Sequence, residues 1–82
     1  MNKQKKQIIA NKILQIEENH NGWLLNLYKK DNNSFMSDLM KQDFNKLLKY
    51  YRNCYKSLDK KAFNKNRNYL EEAIEVLCKE LQ

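Results

Sequence analysis

The chain has 82 residues, a formal net charge of +6, and hydrophobic and charged fractions of 41% and 32%. A chain of this length buries only about 60 to 65% of the surface that its unfolded form exposes, so we expect residues 1–82 to form a single domain with one modest core. The composition is typical of folded proteins and argues against an intrinsically disordered chain.

The hydrophobicity pattern and the cysteines bear on location. No apolar run approaches the roughly 18 residues that span a bilayer, and the basic start at Lys3, Lys5 and Lys6 is not followed by the apolar core of an export signal. We therefore expect a cytoplasmic protein with no membrane partner. In a reducing compartment Cys54 and Cys78 are expected to be buried thiols and not a disulfide.

The first half of the chain is predicted to form a β-hairpin. Residues 23–28 lie between the Asn21-Gly22 turn signal and a polar cluster at 31–34, and they are too few for a comfortable helix. Residues 13–18 can pair with them across the turn, and residues 35–37 can add a third strand. The predicted architecture is therefore α+β: an N-terminal β-hairpin or three-stranded antiparallel sheet packed on two long C-terminal helices.

The second half is predicted to form those two helices, because its apolar residues recur at spacings of three and four. The first helix is expected to cover about residues 39–57, with Asp43 or Asp38 as its N-cap. The second is expected to run from about residue 60 to the C terminus. So short a connection predicts an antiparallel pair.

An all-α four-helix bundle is the alternative architecture. In this bundle Ile9, Ile13 and Ile16 form the apolar stripe of a first helix, and residues 23–30 form a short second helix. The two long C-terminal helices are common to both architectures, so the choice concerns only the first half of the chain.

The sequence offers little that could carry catalysis or hold a cofactor. The single histidine, His20, lies in the predicted turn and is expected to be a solvated loop residue. Glu71 and Glu75 lie one helical turn apart, but no cysteine or histidine stands at ligand spacing beside them, so a solvated acidic face is expected. Gly22 is the only glycine, which excludes a glycine-rich phosphate loop. We expect no catalytic, cofactor-binding or metal-binding residues and no enzyme activity.

Positive charge is concentrated in residues 41–67, which carry nine basic and two acidic side chains. On the first predicted helix the basic residues recur opposite the apolar stripe, and the second helix begins with basic residues, against the preference of its dipole. This placement favours an anionic partner. The predicted partner-binding residues are Lys46, Lys49, Tyr50, Arg52, Lys56, Lys60, Lys61, Lys65 and Arg67.

The aromatic residues divide by their position relative to the apolar stripes. Tyr50 and Tyr69 fall off the stripes and are predicted to be exposed anchors for a partner. The aromatic residues predicted in the core are Trp23, Tyr28, Phe35, Phe44, Tyr51, Tyr55 and Phe63.

These features predict a small adaptor or inhibitor that docks on an acidic surface of a larger protein. The 14 lysines and 12 asparagines have A/T-rich codons and favour a low-GC source, such as a phage or mobile element that acts against host defence in the manner of anti-CRISPR proteins. The alternative is non-specific binding to nucleic-acid phosphates, since lysine suits phosphate better than base edges. A bacteriocin-immunity-type bundle is a third hypothesis and requires an all-α fold. The sequence leaves a homodimer open.

Overall fold

The chain folds into helices joined by turns, in a computed structural model that describes residues 3–30, 34–58 and 66–80. The helices in these ranges are α1 (Lys3–Asn19), α2 (Trp23–Leu27), α3 (Ser34–Met40), α4 (Phe44–Ser57) and α5 (Arg67–Glu80). Helix α5 packs against both α1 and α4, and the short α2 and α3 complete the bundle. No helix in the described ranges is long and apolar enough to cross a membrane.

The predicted α+β architecture is wrong, because the described residues contain no strand. Residues 13–18 belong to α1, residues 23–27 form α2, and residues 35–37 belong to α3, so neither the hairpin nor the third strand exists. The alternative helical bundle fits the structure. Helix α1 buries the isoleucine stripe that this alternative predicted.

The Asn21-Gly22 pair does reverse the chain, but it ends a helix instead of joining two strands. Both residues have a positive φ, 59° and 64°, which a hairpin turn and a helix C-cap both require. The Gly22 amide donates to the Glu17 carbonyl at 2.6 Å, and the Asn21 amide donates to the Glu18 carbonyl at 3.3 Å. This is the hydrogen-bond pattern of a Schellman motif. The same dipeptide chemistry serves both folds, so it could not decide between them.

The same motif ends α3. Gln42 has a φ of 58°, and the amides of Gln42 and Asp43 donate to the carbonyls of Leu39 and Asp38 at 3.0 and 2.9 Å. Asp43 is then the N-cap of α4, as predicted, and its carboxylate accepts the Lys46 amide at 3.3 Å. The reversal separates α3 from α4. The predicted single helix from about residue 39 is therefore two helices.

The predicted antiparallel pair of C-terminal helices is present as α4 and α5. The Tyr55 hydroxyl, near the end of α4, donates to Glu71 in the early part of α5. Arg52, one turn earlier in α4, reaches Cys78 near the end of α5. Residues 59–65, which hold the predicted beginning of the second helix, lie outside the described residues.

The core is one cluster of side chains contributed by all five helices. Both cysteines are free thiols; Cys54 is buried and Cys78 is half-buried, and burial raises the pKa of Cys54 above its ordinary value. Phe63 lies outside the described residues. The other predicted core aromatics are either buried (Phe35, Phe44, Tyr51) or packed against the cluster (Trp23, Tyr28, Tyr55).

Candidate functional site

The outward side of α4 carries the central part of the predicted basic surface. Its exposed residues include Lys46, Lys49, Arg52, Asn53 and Lys56, and we call these five the basic face of α4. The other side of the helix is apolar and buried, so the amphipathic pattern fixes the direction in which the lysines project. Within the described ranges, no carboxylate lies within 4.0 Å of the Lys49 or Lys56 ammonium group.

Lys46 differs from the other lysines of this face because it lies beside two carboxylates. Its Nζ atom is 4.0 Å from Asp38 Oδ1 and 4.0 Å from Asp43 Oδ2. The Lys46 side chain is 60% exposed, so these contacts stabilise the fold by less than about 1 kcal/mol. They nevertheless offset the positive charge there. The basic face is most strongly cationic in the second half of α4.

Tyr50 was predicted to be an exposed anchor, and this prediction is wrong. Its hydroxyl donates to the buried Asp38 carboxylate, and this hydrogen bond raises the pKa of Tyr50 above its ordinary value. Its ring lies 4.6 Å from the Tyr28 ring and 5.8 Å from the Phe35 ring, between centroids. Tyr50 therefore holds α4 against α3 and is only half-exposed to a partner.

Tyr69 was also predicted to be exposed, and it is among the most deeply buried residues at 1% exposure. Its ring centroid lies 4.4 Å from that of His20, 6.0 Å from that of Trp23 and 6.1 Å from that of Tyr51. His20 is thus half-buried against Tyr69 and is not the solvated residue that the sequence predicted. Tyr69 joins the beginning of α5 to the α1–α2 turn.

The remaining predicted contact residues fall at or beyond the α4–α5 connection. Lys60, Lys61 and Lys65 lie outside the described residues. Arg67 is the first residue of α5 and is half-buried. Arg67 lies one helical turn before Glu71, whose hydrogen bond with the Tyr55 hydroxyl raises the pKa of Tyr55, and the positive charge of Arg67 lowers that pKa by less. The structure therefore brings Arg67 near the C-terminal end of the basic face.

A groove that the sequence analysis did not predict runs between α4 and α5 beside the basic face. Its volume is about 420 Å³, and its lining residues are Arg52, Tyr55, Lys56, Glu71, Ile74, Glu75 and Cys78. The floor is formed by the half-buried Tyr55, Ile74 and Cys78. The sequence did contain a signal for this groove, because its lining residues in each helix are three or four positions apart and so share one side of that helix.

The two sides of this groove, which we call its α4 bank and its α5 bank, carry opposite charges. On the α4 bank lie the exposed Arg52 and Lys56, and on the α5 bank lie the exposed Glu71 and Glu75. Two contacts cross the floor: Arg52 Nη2 donates to Cys78 Sγ at 3.3 Å, and the Tyr55 hydroxyl donates to Glu71 Oε1 at 2.8 Å. The groove is therefore apolar along its length, basic on one side and acidic on the other.

A buried carboxylate, Glu17, lies on the core side of α4 and was also missed by the sequence analysis. It is 0% exposed; its Oε1 atom accepts the Leu24 and Leu25 amides at 3.1 and 3.2 Å, and its Oε2 atom accepts the Tyr51 hydroxyl at 3.0 Å. Burial raises the pKa of Glu17, and these hydrogen bonds lower it by less. A buried acid of this kind can serve catalysis. Here both oxygen atoms are engaged in fixing α2 and α4 to α1, which is a structural role.

The described part of the chain holds no group of three or more histidine, cysteine, aspartate or glutamate side chains placed to bind a metal ion. No protein-family model matches the chain, and no curated protein or solved structure matches it either. The basic face of α4 and the groove beside it are therefore the candidate functional surfaces of the described residues.

Proposed function

We propose that the protein is a non-enzymatic binding module that docks on an acidic surface of a larger protein through the basic face of α4. The observation that carries this proposal is the pair Lys49 and Lys56. Both are exposed, and neither has a described carboxylate within ion-pair distance. Two such charges on a rigid helix form a prearranged complement to carboxylates and speed association through electrostatic steering.

The charges around this face favour a protein partner over nucleic acid. Asp38 and Asp43 flank it at Lys46, and Glu71 and Glu75 flank it across the groove. A phosphate backbone continues past a short cluster of cations and would meet these carboxylates, which repel it. An acidic patch on a folded protein can end where the cations end. Carboxylates therefore border the basic face at Lys46 and across the groove, and this supports protein docking.

We further propose a biological source for the protein and an identity for the larger protein. The lysine- and asparagine-rich composition supports a phage or mobile element as the source and a component of host defence as the larger protein. The bacteriocin-immunity hypothesis gains its required all-helical fold, but helix bundles serve many functions, so the fold alone gives it no further support. The identities of neighbouring genes test this part of the proposal directly.

Charge variants test the docking. Lys49→Glu/Asn53→Glu changes the net charge by three units on the basic face and leaves the groove intact. Lys29→Glu/Lys30→Gln changes it by the same amount at two exposed residues beyond α2, and it is the matched control. We expect the first variant to lose at least about tenfold in partner recovery from host lysate, measured by quantitative mass spectrometry, because each interfacial charge contact contributes on the order of 1 kcal/mol or more.

Two results would contradict the proposal. One is equal loss of recovery in both variants, which would mean that net charge and not the basic face controls binding. The other is a mobility-shift titration in which the wild type binds DNA or RNA at micromolar concentration with a steep salt dependence, and the Lys49→Glu/Asn53→Glu variant alone loses it. That pattern would select the nucleic-acid alternative, since counterion release gives phosphate binding its salt dependence.

A further inference from the structure

The α4–α5 groove has a charge pattern that is complementary to itself. We propose that a second copy of this chain covers it, in a symmetric dimer in which α4 of each copy lies against α5 of the other. The dimer goes beyond the proposed docking and does not depend on it. Three features of the groove favour this dimer: the opposite charges of its two sides, the matching positions of these charges along its length, and the apolar floor between them.

Charge selects the arrangement of the two copies. A two-fold axis that runs along the groove places the α4 bank of one copy over the α5 bank of the other, so positive charge meets negative charge on both sides. An axis that crosses the groove places α4 over α4 and brings Arg52 and Lys56 against their own copies. Like charges placed together destabilise an interface. Only the first arrangement is favourable, and it is isologous, as symmetric dimers require.

The charges of the two banks also lie at matching levels, by which we mean positions along the long axis of the groove. Tyr55 bonds Glu71, and the next residue of α4, Lys56, lies at the same level. One turn away Arg52 bonds Cys78, and Glu75 lies on α5 between Glu71 and Cys78. An axis along the groove preserves levels, so Lys56 approaches the partner's Glu71 and Arg52 approaches the partner's Glu75. The symmetry repeats both contacts, giving four ion pairs around the apolar floor.

The apolar floor supplies the rest of the interface. Ile74 and Cys78 are half-buried, and the Tyr55 ring lies beside them with its hydroxyl engaged by Glu71. Covering such a floor removes apolar surface from water, which favours association by about 25 cal/mol per Å² before the costs of association are counted. A second copy brings an equal floor. The apolar surface is thus covered on both chains at once.

The size of this surface suits a modest dimer. Each of the two helices has 14 residues and is about 21 Å long at 1.5 Å per residue, and packed helices lie about 8 to 10 Å apart. Such a helix pair presents a footprint of about 21 by 20 Å, on the order of 400 Å², which is below the roughly 800 Å² per partner of standard interfaces and typical of weak association. We therefore expect a micromolar dissociation constant and reversible association.

The second copy is favoured over a foreign helix because it already has the required pattern. A foreign occupant would need an apolar stripe with carboxylates on one edge and cations on the other, at the same levels. The dimer engages Arg52 and Lys56 of the basic face, so Lys46, Lys49 and Asn53 are the residues of that face that stay available for docking while two copies are associated. Neither Lys49 nor Asn53 lines the groove. Asn53 lies about 60° around α4 from Lys56, and Lys49, which shares the side of Lys56, lies about 10 Å before it along the axis, so docking and dimerisation can be tested separately.

Sedimentation equilibrium of the full chain, from micromolar to about 1 mM, tests the dimer. Variant A is Arg52→Glu/Lys56→Glu, which makes both banks acidic, and variant B is Glu71→Lys/Glu75→Lys, which makes both banks basic. We expect the wild type to dimerise. Each variant alone, in which four attractive contacts become repulsive, should associate at least about a hundredfold more weakly and be mainly monomeric up to about 100 μM. We expect an equimolar mixture of A and B to dimerise again, because each acidic bank then meets a basic one.

The mixture separates a specific interface from loss of folding, since a misfolded variant would not recover in it. Net charge cannot drive the mixed association, because from the wild-type +6 variant A carries +2 and variant B carries +10, so the two repel each other overall. Lys49→Glu/Asn53→Glu should dimerise like the wild type. A wild type that is monomeric at about 1 mM would overturn the proposal. So would a wild-type dimer that A and B leave intact, or an A and B mixture that stays monomeric. If the groove variants instead lose the partner from lysate while the wild type is monomeric, a foreign protein occupies the groove.

Discussion

Two carboxylates lie inside this small helical protein, and a tyrosine of α4 donates to each. Tyr51 bonds Glu17 at 3.0 Å, and the adjacent Tyr50 bonds Asp38. The sequence analysis placed neither acid in the core, although Glu17 continues the spacing of the isoleucine stripe in α1. An acid at an apolar position is usually read as solvated because burying an unpaired charge is costly. The donors of Glu17 are the Leu24 and Leu25 amides across the α1–α2 turn and the distant Tyr51 hydroxyl, and the spacing of apolar residues in α1 reveals none of them.

Glu17→Gln is expected to remove one component of the pH dependence of stability. Burial raises the folded-state pKa of Glu17 above its ordinary value of 4.5, so the folded protein holds a proton that the unfolded chain has released. This contribution is fully present below pH 4.5 and is lost as the pH rises through the raised pKa. Urea unfolding at several pH values should show the wild type falling relative to Glu17→Gln across this window. Parallel pH profiles for the two proteins would contradict the assignment.

Tyr69 and Tyr51 offer a matched pair of hydroxyl deletions. The Tyr69 hydroxyl is buried and has no hydrogen-bond partner in the described structure, whereas the Tyr51 hydroxyl donates to Glu17. Tyr69→Phe should leave the free energy of unfolding unchanged or raise it by about 1 kcal/mol, while Tyr51→Phe should lower it by about 1 to 3 kcal/mol because a buried oxygen loses its donor. Denaturant midpoints with constant m-values measure both. A larger loss for Tyr69→Phe than for Tyr51→Phe would reverse this interpretation.

At the scale of the elements, both short connections use a residue with positive φ to end a helix. Gly22 has a φ of 64°, and a Cβ built on it would lie 3.7 Å from the nearest Leu25 carbon, which is ordinary contact. Gly22→Ala therefore adds backbone strain without a clash, and we expect a loss of about 1 kcal/mol in the free energy of unfolding. Thermal or urea unfolding would measure it. An unchanged midpoint would show that this turn relaxes to a different backbone conformation.

Gln42 is the opposite case, because a side chain already occupies a position with a φ of 58°. Gln42→Gly should raise the free energy of unfolding by up to about 1 kcal/mol, since glycine adopts this conformation without strain. Gln42→Ala is the control, because it also removes the exposed contact between Gln42 and Gln7 but keeps the strain. Equal midpoints for the glycine and alanine variants would exclude backbone strain as the cause.

The predictability of the elements followed the length of their apolar patterns only in the second half of the chain, since α1, with 17 residues the longest described helix, was predicted to contain a strand at residues 13–18. Helices α4 and α5 have long stripes, and sequence analysis found both, although the end of α3 was merged with α4. Residues 23–27 form a helix of only 5 residues, too short for periodicity to distinguish it from a strand. Contacts decide this segment: Glu17 accepts the Leu24 and Leu25 amides that a helix N-terminus otherwise leaves unpaired. Nothing in the sequence of residues 23–27 itself predicts that Glu17 of α1 accepts these two amides.

At the scale of the whole molecule, the candidate surfaces were only partly predictable. The basic face of α4 followed from spacing alone, because exposed residues on a long helix lie opposite its apolar stripe. The groove required the relative placement of α4 and α5, which depends on how the core packs. Tyr50 and Tyr69 were misplaced for the same reason: a residue that lies off the stripe of its own helix can still face a neighbouring helix.

Dimerisation predicts that the stability of the whole molecule depends on its concentration. A partner that binds only the folded state stabilises it by mass action, so the thermal midpoint of the wild type should rise as protein concentration is raised across the dissociation constant. Variant A, which is expected to be monomeric, should show no such rise. Differential scanning calorimetry at several concentrations measures both. A midpoint that is independent of concentration in the wild type would argue against association through the folded state.

The paired acid–tyrosine contacts have a consequence for rotation of α4 about its own axis. Tyr50 and Tyr51 project about 100° apart around α4. Tyr50 bonds Asp38 of α3 and Tyr51 bonds Glu17 of α1, so rotation of α4 about its axis in either direction would break one of the two hydrogen bonds. The outer side of α4, which carries the lysines, therefore faces in a fixed direction relative to the other helices. A ligand approaching these lysines meets a helix that does not have to be reoriented on contact, so the entropic cost of recognition is confined to the lysine side chains themselves.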